Sequence, residues 1–482
     1  MPAVRLRLPT LTTALLCALA AGLCLPVVAL LGSWLGWNRA SADLLAQMAD
    51  TVLPTYALTS LQLCLLVGAG VLVVGLATAT AVTLFDFAGR RVLEWALLLP
   101  LAMPAYVVAY AYTDFLQYSG PLQTSLRETL GLRGALLPEV RSLGGAALVF
   151  TFTLYPYVYL LVRTALGERH AALMEAARLL GAPLGRRIRE VALPLARPAL
   201  AAGMALALME TLADYGVASY FGIQTFTAGI YKAWLSMDDR LAAAQLATLL
   251  LALVALLLQL ELSAQRRMRF ALGHTARESS REARPVPLRG AHAALAWGVC
   301  ATPVLLGFVA PVLFMLRPLA ADWSVLPWGH FVQWSANSLR LGLVTAALAV
   351  ALALLLAFAA RRPRDRMARA VNAIVSLGYA MPGAVVVVGL LLPLGWLQAH
   401  WPQLQAAHWI TATSMGLVWA YLVRFASVAL QSVQSGYSRI SPSLDESSRL
   451  LGVSGLRLLA RVHWPLLQRS CAAAALLVFV DV

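Results

Sequence analysis

Two groups of residues in this chain have the types and spacing to do chemistry. The first recurs: Glu175-Ala176-Ala177 with Gly181 and Leu193-Pro194, then, 271 residues later at every position, Glu446-Ser447-Ser448 with Gly452 and Trp464-Pro465. A carboxylate beside very small side chains suits recognition by another protein, because a partner's groove can approach the backbone while the acid pairs with a basic group. The second group is acidic. Glu210 and Asp214 stand four apart, on one face of a helix, and Asp481 takes the place of Glu210 in the second copy. Counted from Arg197, Glu210 lies about 20 Å along a helix at 1.5 Å per residue, inside an apolar run. An intramembrane acid is costly and faces a pathway or a partner. These carboxylates offer hard oxygen ligands or simple attraction to a passing cation; the alternatives are a protonated, hydrogen-bonded or helix-end role.

Other candidates are weaker. Tyr106, Tyr110, Tyr112 and Tyr118 with Asp114 form a possible polar mouth, and Tyr155, Tyr157 and Tyr159 flank Pro156, but tyrosines near a bilayer surface usually anchor or pack. His170, His330, His408 and His463 lack ligand-like spacing, so no metal is assigned to them. Cys17, Cys24, Cys64, Cys300 and Cys471 fall in or beside apolar runs without metal or disulfide spacing. Lys232 is the single lysine, so a phosphate-binding G-x-x-x-x-G-K-[ST] loop is absent. No nucleophile–base pair is legible, and no catalytic residue or bound cofactor is expected.

The elements that must position these residues follow from composition. Of 482 residues, 60% are hydrophobic and 12% charged, and the mean hydropathy is +0.75, far from a soluble protein with about 25% charged residues. Apolar runs long enough to cross a bilayer as helices lie near 11–32, 57–84, 92–115, 145–166, 198–220, 241–262, 293–316, 338–360, 372–397, 410–433 and 469–482. The expected fold is all-α and polytopic. The first run is too long for a signal h-region and reads as a retained helix. The net charge of +15 reports orientation and not nucleic acid, because the arginines cluster in alternate connections: Arg90 and Arg91, 163–197, 266–289, 361–369 and 439–461. That side reads as cytoplasmic, with the N-terminus on it. Trp34, Trp37, Tyr118, Trp323, Trp328, Trp334 and Trp401 suit an aromatic belt on the other side.

The duplication extends beyond the loops. Thr59-Ser60-Leu61 recurs as Asn337-Ser338-Leu339 and Ala102-Met103-Pro104 as Ala380-Met381-Pro382, each 278 residues apart. The expected organisation is an N-terminal helix and periplasmic loop (1–56), a first bundle (57–265), a basic linker with a helix and loop (266–336) and a second bundle (337–482). The second bundle is expected to be C-terminally incomplete against the first.

Each loop is expected to form helix, elbow, helix: a helix over 171–180, Gly181 as a left-handed stop, and a second helix from Pro183 ended by Pro194. These residues resemble the EAA motif of binding-protein-dependent ABC importers, whose permease loops dock on a nucleotide-binding subunit; Ser447 and Ser448 depart from it but stay small. The stretch from Met209-Glu210-Thr211 through Ala228-Gly229-Ile230-Tyr231, with Phe479-Val480-Asp481-Val482 and Gly378-Tyr379-Ala380-Met381-Pro382-Gly383, resembles fused permeases of the ferric-iron type. The resemblance implies two homologous six-helix-type permease bundles in an inner membrane, a separate ABC ATPase that uses ATP and is expected as a homodimer, and a periplasmic substrate-binding protein. Permeases for thiamine, phosphonate and polyamines share these loops. The contrasting class is a self-contained channel or secondary transporter, in which Glu210 would carry coupling ions.

Overall fold

The computed structural model describes residues 11–35, 39–131, 133–272, 285–361, 371–372, 375–376, 378, 381–453 and 455–482. The arginine cluster beyond Arg361, the middle of the linker, and Tyr379 and Ala380 of the quoted motif lie outside them. Among the described residues eight helices are long and apolar enough to cross a bilayer, or ten if each of two bent pairs is one span. The molecule is thus an all-α polytopic membrane protein. Two units group the chain: 39–326, and 1–38 with 327–482. The leading helix of each expected bundle is therefore grouped with the other bundle's helices.

In chain order the helices are α1 (Leu11–Gly32), α2 (Arg39–Asp50), α3 (Leu53–Leu84), α4 (Arg90–Ala96), α5 (Ala105–Leu116), α6 (Pro121–Leu130), α7 (Leu143–Leu179), α8 (Leu184–Arg187), α9 (Leu193–Ala213), α10 (Gly216–Phe221), α11 (Phe226–Tyr231), α12 (Arg240–Leu272), α13 (Ala291–Val304), α14 (Ala310–Ala321) and α15 (Trp328–Ala360). They continue as α16 (Gly383–His400), α17 (Ala406–Thr411), α18 (Ser414–Tyr437), α19 (Pro442–Leu450), α20 (Leu456–Leu458) and α21 (Trp464–Asp481).

In the unit 39–326, α3, α7 and α9 cross at small residues. A Cβ on Gly75 or Gly203 would lie 2.6 Å from Val158, so only glycine lets these backbones approach so closely. Tyr155 and Tyr159 on α7 are buried and donate to the carbonyls of Leu97 and Glu94 at 2.9 Å, which satisfies carbonyls at the C-terminal end of α4. These tyrosines pack. The helices α13 and α14 belong here: Tyr112 donates to the Leu306 carbonyl at 2.6 Å, and Phe115 stacks on Phe314 at 3.9 Å. Strands β1 (Phe85–Asp86) and β2 (Val286–Pro287) pair in parallel, so the C-terminal end of the linker is anchored.

In the other unit, α15, α18 and α21 form the core, and α1 packs on α16 and α18. The Gly389 backbone lies against Pro26, and the Trp419 indole donates to the Gly22 carbonyl at 3.0 Å. This unit also holds the second copy of the recurring pattern.

Candidate functional site

The first loop is an extension of a spanning helix. No proline lies between Pro156 and Pro183, and α7 runs unbroken for 37 residues through Ala176 and Ala177 to Leu179. The separate helix expected over 171–180 is the end of this longer one. It stops at Gly181, φ +79°, where the Gly181 N–H bonds the Arg178 carbonyl and the Ala182 N–H the Ala177 carbonyl, both at 3.0 Å. That is a left-handed glycine stop. In the second copy α19 is a helix of its own, because Ser441 and Pro442 interrupt the chain after α18, and it ends at Gly452, φ +78°. The Val453 N–H there bonds the Ser448 carbonyl at 2.9 Å.

Beyond each stop the geometry repeats again. A π-turn spans Ile188–Ala192, with the Leu193 N–H returning to the Ile188 carbonyl, and another spans Leu459–His463, with the Trp464 N–H on the Leu459 carbonyl. Pro194 and Pro465 follow at once, in the first turn of α9 and α21, where a missing N–H costs nothing. Pro194 therefore does not end the second helix, as the sequence suggests; the chain stays helical through it and bends by 65°.

Ala176, Glu446 and Ser447 are exposed, whereas Ser448 is buried. The Ser447 and Ser448 hydroxyls donate back to the carbonyls of Ser443 and Leu444 at 2.9 and 2.8 Å, so both serines satisfy themselves and keep the small volume of alanine. The Glu175 side chain lies outside the described residues. Sequence reasoning missed the leucine pairs that precede each glycine: Leu179, Leu180, Leu450 and Leu451 are 83–89% exposed. The signal was available, since two leucines directly before the stop glycine recur at matching positions. Each loop thus presents an apolar tip beside small residues, the composition of a protein contact.

The acids sit elsewhere. Glu210, half-buried, lies in the last turn of α9, and Asp214 follows the helix. The Asp214 carboxylate accepts the Val217 N–H at 2.8 Å and so holds the start of α10. Asp481 ends α21 and is exposed. Near α10, Tyr110 and Tyr220 rings are 6.0 Å apart, Tyr215 and Tyr231 are 4.1 Å apart, and the Arg141 guanidinium lies over Tyr220. Tyr106 and Tyr110 are exposed there, while Tyr118 stacks under Arg127 at 4.1 Å.

Residues 71–269, which hold α7, the first loop and α9, match the family described as "Binding-protein-dependent transport system inner membrane component". The chain is an all-α polytopic membrane permease of the ABC importer class, a class that works with an ATPase and a substrate-binding protein. Over 98% of its length it is similar to the Fe(3+)-transport system permease protein FbpB 2 of Haemophilus influenzae, 24% identical and covering 88% of that protein. A shorter similarity joins it to the sulfate transport system permease protein CysT of Salmonella typhimurium, 32% identical over 30% of this chain and 50% of that protein. Another joins it to PhnU of Salmonella choleraesuis, named for 2-aminoethylphosphonate transport, 28% identical over 38% of this chain and 66% of that protein.

Proposed function

We propose that this chain is the membrane subunit of an ATP-driven importer that passes ferric iron, delivered by a periplasmic binding protein, into the cytoplasm. The observation that carries the coupling half of this reading is the duplicated loop: two glycine stops with φ of +79° and +78°, each preceded by an exposed leucine pair and followed by a π-turn into a spanning helix. Two equivalent loops suit a homodimeric ATPase, with one subunit on each. ATP is hydrolysed by that partner, and this chain holds no cofactor of its own. The loops, the basic linker and the N-terminus lie on the cytoplasmic side. Glu175 and Glu446 pair with basic groups of the ATPase, while the small residues and leucines fill its groove.

For the cargo, support comes from the similarity to a protein named for Fe(3+) transport along nearly the whole chain, together with Glu210 in the last turn of α9. Glu210, and in the second copy Asp481, are the acids that attract the cation, and Asp214 holds the start of α10. A second reading, an oxyanion cargo, draws on the shorter similarities to proteins named for sulfate and phosphonate transport. Proteoliposomes holding the chain, its ATPase and its binding protein decide between them when offered radiolabelled ferric iron, 2-aminoethylphosphonate, sulfate or thiamine. ATP-dependent accumulation of iron is expected. Accumulation of another solute instead overturns the cargo, and uptake without any ATPase overturns the coupling and favours a self-contained channel.

A further inference from the structure

The second loop carries a polar network whose charged residues have no ionisable counterparts at the matching positions of the first. Arg361, at the C-terminal end of α15, donates from Nε to Asp445 Oδ2 at 2.6 Å. Its remaining nitrogens reach the carbonyls of Tyr437, Ile440 and Ser441 at 3.3, 2.8 and 3.1 Å, in the connection between α18 and α19. Asp445 lies on α19, directly before Glu446. Its other oxygen is 2.9 Å from His463 Nε2, and His463 Nδ1 is 3.2 Å from the Tyr437 hydroxyl. His463 is fully buried in the π-turn before α21, with Phe358 and Tyr437 edge-on to its ring. Asp445 is 6% exposed. One carboxylate thus joins α19 to α15 directly, to the end of α18 through Arg361, and to the start of α21 through His463.

The repeat makes the asymmetry visible. At the matching positions of the first copy stand Thr83 for Arg361, Leu166 for Tyr437, Met174 for Asp445 and Ala192 for His463. None of these can carry charge. In the first copy Arg163 pairs with Glu94 and so joins α7 to α4. Burial alone would raise the Asp445 carboxyl, yet hydrogen bonds from Arg361 and His463, and their charges, hold it below the ordinary carboxylate value. A buried acid with two such partners is strongly localised, because releasing either one leaves it unsatisfied.

We propose that Asp445 and Arg361 are positioning residues for energy coupling: they lock the second coupling helix to α15, α18 and α21 and make that loop a stiff lever, through a charged network that the matching residues of the first copy cannot form. Movement imposed on α19 by the ATPase then reaches three bundle helices without being lost in local flexing. The proposal rests on the reading of the loops as ATPase sockets.

Hydrogen exchange on the full chain in its ATPase complex tests the lock, and transport per ATP hydrolysed tests its use. In Asp445→Asn, amides 444–451 should exchange about tenfold faster or more, while amides 176–182 stay within about twofold of wild type. Iron carried per ATP should fall about fivefold or more on the same grounds, with ATPase co-purification retained. Arg361→Gln on top of Asp445→Asn should add less than it costs alone, since its bond to Asp445 is already weakened while its bonds to the three carbonyls are still to lose. If Asp445→Asn yields no folded protein, Arg361→Lys carries the test: it keeps the charge, loses the fork and should give an intermediate effect. Unchanged exchange at 444–451, or equal loosening of both loops, overturns the lock. Loosening with an unchanged transport ratio overturns its coupling role without touching the docking reading, which stands or falls on ATPase binding in Glu446→Lys.

Discussion

Substitution of Gly181 isolates backbone strain from every other effect. A Cβ added there meets no heavy atom within 4 Å, so nothing is lost to collision, while φ of +79° lies where L-residues are strained. That strain is about 1–2 kcal/mol for an ordinary residue, less for asparagine and more for a β-branched side chain. Against frayed alternatives, the elbow is then disfavoured by a factor of roughly 5–30. Its two closing hydrogen bonds, Gly181 N–H to Arg178 and Ala182 N–H to Ala177, are solvent-accessible and yield first. The expected order of uptake is Gly, Asn, Ala, Val, with Gly181→Val losing most of it and thermal unfolding of the bundle nearly unchanged. The same series at Gly452, φ +78° with open space, should run in parallel. Gly203→Val is the contrast, since its Cβ would lie 2.6 Å from Val158 Cα, and folded protein itself should be lost. The assay is uptake and ATPase co-purification beside thermal unfolding in detergent. Wild-type uptake in Gly181→Val would refute the elbow, and so would an uptake loss that merely follows loss of folded protein.

Further outcomes follow from the same geometry. Glu175→Lys should abolish uptake by opposing the docking partner, and normal ATPase co-purification with normal uptake would count against the assignment. Glu210→Gln keeps shape and removes charge: a fall in uptake with normal yield and normal stimulation of the ATPase marks a pathway acid, whereas unchanged uptake removes it from that role. A protease site placed within 273–284 should leave the two fragments associated in mild detergent, because β2 pairs with β1 and α13 packs against α3 and α4; separation of the fragments refutes this. Since the Asp445 carboxyl is held below its ordinary value, its contribution is present above the unfolded carboxylate pKa of about 4 and is lost as pH falls below that. Exchange at 444–451 should therefore rise below about pH 4 in wild type and be less pH-sensitive in Asp445→Asn.

Much of this protein is written in local chain physics. Apolar runs of bilayer length become helices, because backbone groups without water must pair within a segment, and α3, α7, α12, α15 and α18 lie where the runs do. Gly181 and Gly452 were readable as stops because a left-handed φ is cheap only for glycine. Pro194 was misread by the same logic: proline breaks a helix interior, but a π-turn before it moves Pro194 into the first turn of α9, and only the following helix supplies that context. Nor could local pattern place α1 beside α16 and α18, since that packing depends on Gly389 admitting the Pro26 backbone. Arg361 and Asp445 stand 84 residues apart and look like two more surface charges in the sequence. What made them a buried pair is the convergence of α15, α18, α19 and α21. Charge and spacing along a chain determine which segments form, while the partner of a buried charge is decided by which segments meet.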